Sequence, residues 1–279
     1  MGTVCVEIAV LRDRRILDAL DSLCLQSRVP DRVLIAASTQ TPDALLDEAR
    51  RHAGRVPLDI ARFAGGVVDA RAGSLALLCE ETTAFLDSDE RAPPEWLEHL
   101  VAPVEAGSAA FAGGPTRPGR PAQNSIERYY ELLEESIYSD LVPRSVTYIP
   151  LQNTAWNTAL LRSLGFDPRI PFAEDHDLET RAARVGARGA FVPEAFVYHD
   201  KSDEDSLWRW ARKRYRYLVA MAMSLLKNGE LRGRLEERRR PVRHPLRYVE
   251  SMMKPIALVH ASIRWRSVRS REPRGPARG

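Results

Sequence analysis

Cysteine is scarce in this sequence of 279 residues, which contains only Cys5, Cys24 and Cys79. No two of them have the Cys-x-x-Cys spacing, so the pattern argues against both a disulfide-stabilised scaffold and a zinc cluster. Two of the three lie in apolar surroundings, where a free cysteine behaves as a small hydrophobic side chain. We therefore expect reduced cysteines in a cytoplasmic protein.

Long hydrophobic runs are also missing. A membrane-spanning helix needs about 18 or more apolar residues, and the longest candidates, residues 217–226 and 255–263, are shorter. The first residues lack the basic segment and the apolar core of a secretory signal peptide. These absences also favour a cytoplasmic location, with contact at the inner face of the membrane left open for the C-terminal region.

The composition is that of a globular protein, with 44% hydrophobic and 28% charged residues. The length fits one large domain, or one domain with a substantial tail. The net charge of +3 is unevenly distributed, because residues 231–279 carry 14 Lys and Arg against four Asp and Glu. The first 230 residues therefore carry a charge of −7, and the basic end predicts an anionic partner.

Apolar runs alternate with amphipathic segments through the first 86 residues. Runs rich in Val, Ile, Leu and Ala predict buried strands at 4–10, 33–37, 58–62 and 82–86. Helical periodicity and a helix-opening proline predict helices at 13–26, from Pro42 onward, and at 67–78. This alternation predicts an α/β fold with a mostly parallel, doubly wound sheet.

The pattern continues with longer helices after residue 90. Helices are predicted at 95–104, 123–138 and 174–185, and Gly186 is a natural end for the last of them. We expect Tyr129 and Tyr130 to form an exposed aromatic pair. Strands are predicted at 109–115, 190–192 and 195–198, the last of which ends at His199.

Two carboxylates, Asp87 and Asp89, follow the predicted strand at 82–86. Residues two apart on an extended backbone point to the same side, so these carboxylates would repel each other without a cation between them. A hard divalent ion, Mg²⁺ or Mn²⁺, that also holds phosphate oxygens would resolve this. The alternative is a solvated acidic turn before the helix near Pro93. In open α/β sheets, ligands bind beyond the carboxyl ends of the strands, where these residues lie.

Seven short motifs occur in a distinctive order over roughly residues 4–225. They are Asp-Ala-Arg-Ala-Gly at 69–73, Phe-Leu-Asp-Ser-Asp at 85–89, Pro-Glu-Trp-Leu at 94–97, Ala-Gly-Gly at 112–114, Leu-Gly-Phe-Asp at 164–167, Phe-Ala-Glu-Asp-His-Asp-Leu at 172–178, and Val-Pro-Glu-Ala-Phe-Val-Tyr-His at 192–199. This order resembles the family 2 glycosyltransferases, which have the Rossmann-like GT-A fold. The resemblance implies transfer of a sugar from a nucleotide-diphosphate sugar to an acceptor hydroxyl.

The resemblance also implies a metal site. It assigns Asp89 and His199 to a divalent cation, Mn²⁺ or Mg²⁺, while Asp87 contacts the ribose or the same metal. Such a cation neutralises the charge that develops on the diphosphate leaving group. Without the motif order, His199 is equally an ordinary core or surface histidine.

The Glu-Asp pair at 174–175 is the expected acceptor end of the site. The resemblance assigns Asp175 as the general base, which takes the proton of the attacking hydroxyl in a single, inverting displacement. Glu174 is expected to position the acceptor or the start of the helix. The alternative is that Glu174, Asp175 and Asp177 serve only to favour a helix N-terminus electrostatically.

Nucleotide contacts are expected around the ends of the first strands. The resemblance places Arg71 near the nucleotide, with Asp69 and Ser88 lining the same pocket. Alternatively, Asp69 caps a helix and Arg71 is a solvated helix residue. The sequence departs from the family at Leu11–Arg14, where relatives carry Pro-Thr-Tyr-Asn, and at 36–38, where they carry acidic residues. We expect Asp13 and backbone groups of Val10, Leu11 and Ala37 to contact the base instead.

The C-terminal region interleaves aromatic and basic residues, notably at 206–217 and 248–265. A basic amphipathic segment of this kind is typical of contact with anionic lipid, and it would suit a lipid-linked or glycan acceptor. A helix packed on the catalytic domain or in a homodimer interface is the alternative. The absence of a nucleic-acid motif predicts no nucleic-acid partner.

We predict a catalytic domain at 1–200, a helical extension at 201–265 and a disordered tail at 266–279. Two other functions remain open. A nucleotidyltransferase would also use acidic metal ligands, but the glycine-rich basic loop expected near its N-terminus is missing at Leu11–Asp13. A catalytically silent relative that binds a nucleotide or a partner would account for the altered nucleotide-pocket residues.

Overall fold

The computed structural model describes residues 2–139, 145–146, 149–202, 205–230 and 242–270. Its first half contains strands β1 (Val4–Val10), β2 (Arg32–Ser38), β3 (Leu58–Phe63) and β4 (Thr82–Leu86), which pair in parallel. Between them lie helices α1 (Ile16–Leu23), α2 (Asp43–Arg50) and α3 (Val67–Ser74), the last followed by a short 3₁₀ turn, Leu75–Leu77. The predicted alternation of strands and helices is confirmed.

The second half extends this sheet and adds a smaller one. The remaining strands are β5 (Glu90–Arg91), β6 (Phe111–Gly113), β7 (Thr116–Pro118), β8 (Ser145–Val146), β9 (Asn153–Asn157), β10 (Gly189–Phe191) and β11 (Val197–His199). The main sheet has the order β3-β2-β1-β4-β9-β6-β10-β8, and the small sheet has the order β5-β11-β7. β9 is antiparallel to both of its neighbours, β4 and β6. The architecture is the predicted α/β fold.

Six further helices occur in the described part of the chain after β5. They are α4 (Trp96–Glu105), α5 (Ser125–Tyr138), α6 (Thr158–Leu164), α7 (Glu174–Arg184), α8 (Leu207–Asn228) and α9 (Pro245–Ser270). α9 continues through 266–270, which the sequence pattern assigned to a disordered tail, and 271–279 lie outside the described residues. None of the helices in the described ranges is long and apolar enough to cross a membrane.

The core explains why the first strands could be predicted. All seven residues of β1 are buried, because helices cover both faces of the sheet. α4 is tied to the antiparallel strand β9 by Trp96, whose indole nitrogen donates to the side-chain oxygen of Asn153 at 2.8 Å.

The turn after β6 brings two backbones into close contact. A Cβ on Gly114 would lie 1.8 Å from the carbonyl oxygen of Ala195, so only glycine fits here without displacing the segment that leads into β11. This contact sets the position of the strand that carries His199.

One predicted exposure is wrong. Tyr129 is fully buried against Trp210 and Leu246, and its hydroxyl donates to the carboxylate of Glu250. The helix at 125–138 therefore packs beneath α8 and α9, which cover the tyrosine that the sequence pattern placed in solvent.

Candidate active site

The acidic motif lies where β4 ends, at the carboxyl edge of the parallel strands. Ser88 and Asp89 form a turn, in which the amide of Glu90 donates to the carbonyl oxygen of Asp87 at 3.1 Å. The extended backbone expected at 87–89 is therefore wrong, because the chain reverses here to form β5. As a result, Asp87 and Asp89 have different ion-pair partners.

Arg71 is the partner of Asp87. The guanidinium lies 2.5 Å from the Asp87 carboxylate and 2.9 Å from that of Glu174. Only 6% of the Arg71 side chain is exposed, so its interpretation as a solvated helix residue is wrong. The salt bridges join three remote motifs of the sequence in one buried cluster.

Burial raises the pKa of two carboxyl groups near Arg71. The pKa of Glu174 rises to about 7 because desolvation outweighs the attraction of Arg71 and is reinforced by the charge of Asp175. The pKa of Glu7, in the middle of β1, also rises to about 7, because burial removes its carboxyl group from water. Ser74 donates a hydrogen bond to Glu7 at 2.8 Å. Glu7 could not be predicted as a site residue from the sequence, because a lone acid within an apolar strand gives no signal of its neighbours.

Asp89 contacts His199. The Nε2 atom of His199 lies 3.2 Å from a carboxylate oxygen of Asp89, and Arg15 lies 3.7 Å from the same oxygen. Burial alone would raise the pKa of Asp89, but the positive charges of His199 and Arg15 hold it well below its usual range. Burial opposes the charged form of His199, yet the nearby carboxylates raise its pKa well above the ordinary value.

The other side of His199 faces α5. Its Nδ1 atom lies 3.3 Å from Glu134, and Glu134 lies 2.5 Å from the ammonium group of Lys201. Glu134 therefore contacts the ring nitrogen of the imidazole that does not face Asp89. In metalloproteins, a carboxylate in this position orients a histidine that binds the metal. Sequence reasoning missed Glu134 and Arg15, since neither belongs to a motif and their roles depend on which helices pack beside β11.

A second buried carboxylate, Glu90, lies beside this group. Its side chain is fully buried, and burial raises its pKa well above the usual value, against the attraction of His199. One carboxylate oxygen accepts a hydrogen bond from the amide of Asp87 at 3.2 Å. Glu90 therefore holds the turn that separates Asp87 from Asp89.

Asp175 lies in the first turn of α7, next to Glu174, and is partly buried. One of its carboxylate oxygens accepts a hydrogen bond from the amide of His176 at 2.6 Å. The first turn contains Glu174, Asp175 and Asp177, so the favourable electrostatics of a helix N-terminus are also present. The prediction that Asp175 is a general base and the electrostatic role of the acidic first turn are therefore compatible.

Asp177 has a purely structural environment. Its side chain is fully buried and accepts hydrogen bonds from Arg181 at 3.0 Å, Lys227 at 2.8 Å and Asn228 at 2.9 Å. Lys227 and Asn228 end α8, so this carboxylate fixes the C-terminal region to the helix that carries Asp175.

The remaining predicted residues lie around the same edge of the sheet. Asp69 accepts a hydrogen bond from the amide of Gly66 at 2.7 Å, which caps α3. Asp13 is paired with Arg15 at 2.6 Å. Val10 and Ala37 are buried at the ends of β1 and β2, whereas Leu11 and Ser88 are partly exposed in the loops that follow.

No three His, Cys, Asp or Glu side chains in the described ranges converge as a ready-made metal cluster. The pair Asp89 and His199 nevertheless fits a divalent ion, since carboxylate oxygen and imidazole nitrogen suit Mn²⁺. Two protein ligands also suit a metal whose other positions are filled by phosphate oxygens and water. Asp87, committed to Arg71, fits this ligand set less well than the sequence predicted.

A cavity lies apart from the acidic residues of the candidate site, none of which lines it. It has a volume of about 430 Å³ between the start of α4 and the segment before β11, with Glu95, His99, Arg117 and Glu194 in its lining. None of the predicted site residues lines it.

Comparison with known proteins identifies the family. A sequence model described as "Glycosyl transferase family group 2" matches residues 83–270. The pre-mycofactocin glycosyltransferase of Mycobacterium tuberculosis is 31% identical over 150 residues, which are 51% of this chain and 32% of that protein. The chain therefore spans about a third of the length of the curated relatives it matches.

Solved structures share the fold. The mannosyltransferase PcManGT from Pyrobaculum calidifontis, in complex with GDP-Man and Mn²⁺, matches with a TM-score of 0.63 and 18% identity over 98% of this chain and 76% of that chain. Glucosyl-3-phosphoglycerate synthase from Mycobacterium tuberculosis, in complex with Mn²⁺, UDP and glucosyl-3-phosphoglycerate, matches with a TM-score of 0.56 and 20% identity over 81% and 80% of the two chains. The fold is thus the expected GT-A fold. Since the family model covers more than half of the sequence, the chain belongs to the family 2 glycosyltransferases.

Proposed function

We propose that this protein transfers a sugar from a nucleotide-diphosphate sugar to an acceptor hydroxyl, with a divalent metal and inversion at the anomeric carbon. The observation that carries the proposal is the convergence around Arg71. This buried cation joins Asp87, on the donor side, to Glu174, the neighbour of Asp175, at distances of 2.5 and 2.9 Å. Two carboxylate motifs that are remote in sequence thus share one site.

The donor end is formed by Asp89 and His199, which would hold Mn²⁺ or Mg²⁺. A bound metal would supply charge neutralisation at the diphosphate leaving group. Glu134 orients the imidazole from the other side, at 3.3 Å. Asp13 and the backbone at Val10, Leu11 and Ala37 would contact the nucleotide, with Ser88 and Asp69 at the rim of the pocket.

The acceptor end is formed by the first turn of α7. The acceptor oxygen attacks the anomeric carbon as the bond to the diphosphate breaks, and Asp175 takes the hydroxyl proton. The carboxylate of Glu174 is paired with the guanidinium of Arg71 at 2.9 Å, so we assign the base to Asp175 and a positioning role to Glu174. One displacement of this kind inverts the anomeric configuration.

Binding and turnover test the proposal separately. Melting temperatures would be measured with UDP and GDP, each with and without Mn²⁺, because a ligand that binds the folded state raises the melting temperature. Release of free sugar and nucleotide from UDP- and GDP-sugars would then be followed for the wild type, Asp175→Asn and the control Asp18→Asn, an exposed acid on α1.

We expect Asp175→Asn to bind nucleotide normally and to lose about 10²- to 10⁴-fold in turnover, while Asp18→Asn keeps both properties. Metal-independent nucleotide binding with no turnover, unchanged by Asp175→Asn, would instead identify a catalytically silent binding protein. Such a result would reject the transferase mechanism and leave the fold assignment intact.

We further propose that α9 contacts anionic lipid. Five large apolar side chains form a stripe along one face of the helix, each more than 60% exposed: Tyr248, Met252, Ile256, Val259 and Ile263. The excess of ten positive charges in residues 231–279 complements an anionic surface.

Sedimentation with vesicles tests the lipid contact. We expect the wild type to bind mixed phosphatidylglycerol–phosphatidylcholine vesicles and not phosphatidylcholine alone, and the double variant Ile256→Ser, Ile263→Ser to lose this binding. Unchanged vesicle binding together with a change in oligomeric state would assign the stripe to a homodimer interface instead.

A further inference from the structure

A small cavity lies between α8, α9 and the loop that leads into α7. Its volume is about 110 Å³, several times the ~30 Å³ that one water molecule occupies in the liquid. The polar side chains in its lining are Tyr215, Arg216, His260 and Arg264. The cavity is therefore large enough for a group of a few heavy atoms, and its polar lining is cationic or neutral.

The two arginines of this lining have no carboxylate partner among the described residues, and both are exposed. No carboxylate in the described part of the chain forms a salt bridge with Arg216 or Arg264, whereas Arg214, on the same helix, lies 2.8 Å from Glu250. Arg216 instead stacks on the ring of Phe172, 4.4 Å from its centroid. Two guanidinium groups without a counter-ion, beside a cavity of this size, are suited to an oxyanion.

The lining also contains one hydroxyl group, that of Tyr215, and one imidazole, that of His260. The Tyr215 hydroxyl lies 3.1 Å from Nδ1 of His260, so the contact holds the tyrosine and the histidine together across α8 and α9. Whichever of the two donates in this contact, the other retains an O–H or N–H that can donate to an anion.

The cavity adjoins the catalytic turn. Phe172, in its lining, is three residues before Asp175 and is the one non-glycine residue with positive φ, 73°, among those described. A bulky residue in this conformation costs free energy and occurs mostly where a site requires it. Ala173 packs on Ala220 of α8, which holds the loop against the cavity wall.

We propose that this cavity binds a phosphate group of the acceptor. A phosphate held by Arg216 and Arg264 would leave the rest of the acceptor beside Phe172, in the loop that leads to Asp175. This inference rests on the proposed function and specifies its acceptor as a hydroxyl compound that bears a phosphate monoester. The phosphate belongs either to a soluble metabolite or to a lipid headgroup.

The test measures phosphate binding without the donor. Isothermal titration in EDTA, where the acidic donor end lacks its metal, would compare glycerol phosphate with uncharged glycerol, and with dihexanoyl phosphatidic acid below its micelle concentration. The double variant Arg216→Met, Arg264→Met would be compared with Arg212→Met, Arg266→Met, which removes two exposed arginines from the same helices outside the cavity.

We expect the wild type and the control to bind glycerol phosphate and not glycerol, and the cavity variant to bind it at least tenfold more weakly. Tighter binding of the phosphatidic acid, lost in the same variant, would identify the lipid source, and equal or weaker binding the soluble one. No phosphate binding by the wild type, or equal losses in both variants, would overturn the inference. Nucleotide binding with Mn²⁺, measured on the same protein preparations without EDTA, shows independently whether the donor site is intact.

Discussion

Arg71 donates a hydrogen bond to Glu174 across 103 positions of sequence, with a distance of 2.9 Å between Nη1 and Oε1. The arginine belongs to α3 and the glutamate opens α7, so the contact connects the two halves of the sheet at the edge where the site lies. The same guanidinium holds Asp87.

Replacing Arg71 by methionine should destabilise the protein by about 3 kcal/mol. The substitution keeps the length of the side chain, but at pH 8, where Glu174 with its pKa of about 7 is ionised, it leaves this largely buried carboxylate without its counter-ion. Breaking one side of a buried ion pair typically costs about 3–5 kcal/mol. Asp87 is 33% exposed, which moderates the loss. Urea unfolding measures the effect. Arg14→Met, which removes an exposed pair with Glu48, should cost less than about 1 kcal/mol. Equal losses would show that the Arg71 cluster adds nothing to stability.

The variants Asp89→Asn and His199→Gln should each abolish the part of nucleotide-induced stabilisation that depends on Mn²⁺. Each removes one of the two proposed metal ligands, which lie 3.2 Å apart. A nucleotide at 100 times its Kd stabilises by about 2.7 kcal/mol, so the wild-type shift should amount to several degrees. Asp59→Asn, at an acid that is 64% exposed on β3, should keep the full shift. A normal Mn²⁺-dependent shift in either ligand variant would contradict the proposed metal site.

The variant Glu174→Gln should flatten the pH dependence of stability between pH 5 and 8. The pKa of Glu174 is raised from about 4.5 to about 7, so the folded protein retains a proton that the unfolded chain has lost. The stability that this retained proton contributes is fully present below pH 4.5 and is lost as the pH rises through 7. The difference of about 2.5 pKa units corresponds to roughly 3 kcal/mol.

Glutamine stays uncharged, so the variant should lose the part of the decline in stability that Glu174 causes. Glu7, whose pKa is also about 7, supplies the remainder. Urea midpoints at pH 5, 6, 7 and 8 provide the comparison. Parallel profiles for the wild type and the variant would mean that Glu174 does not titrate in this range.

Substituting alanine for Gly114 should destabilise the protein by at least about 1–3 kcal/mol, the usual cost of overpacking. The added Cβ would lie 1.8 Å from the carbonyl oxygen of Ala195, and the backbone before β11 would have to move. Because β11 carries His199, the Mn²⁺-dependent shift should fall as well. Gly54→Ala, with no atom within 4 Å of the new Cβ, is the matched control. The idea is wrong if both variants melt at the wild-type temperature.

Much of the fold could be predicted from the sequence because its parallel strands are buried on both faces. β1, β2 and β4 are mostly apolar and almost entirely buried, and such runs can be recognised without knowledge of the tertiary structure. Helix ends were less predictable. The segment expected to be helical at 67–78 ends as an α-helix at Ser74 and continues as a 3₁₀ turn, since terminal hydrogen bonds depend on packing.

The site was predicted through motif order, and only in part. Asp89 and His199 were expected in one site, and the structure places them in contact, while their metal role stays a prediction. The double salt bridge of Arg71 and the support of His199 by Glu134 depend on which helices pack together. No local pattern encodes this. Tyr129 illustrates the same point, because its burial depends on α9, which packs against it and carries Glu250, the partner of its hydroxyl.

The fixation of Asp177 by the last two residues of α8 has a consequence for how members of this family can be recombined. A chimera that keeps residues 1–200 and takes its C-terminal region from a relative would lose the ammonium and the amide that satisfy this carboxylate. The graft would succeed only where the donor helix brings a lysine and an asparagine to the same two places. In this chain the end of α8 and the first turn of α7 therefore have to match each other, and a replacement C-terminal region must supply both partners of Asp177.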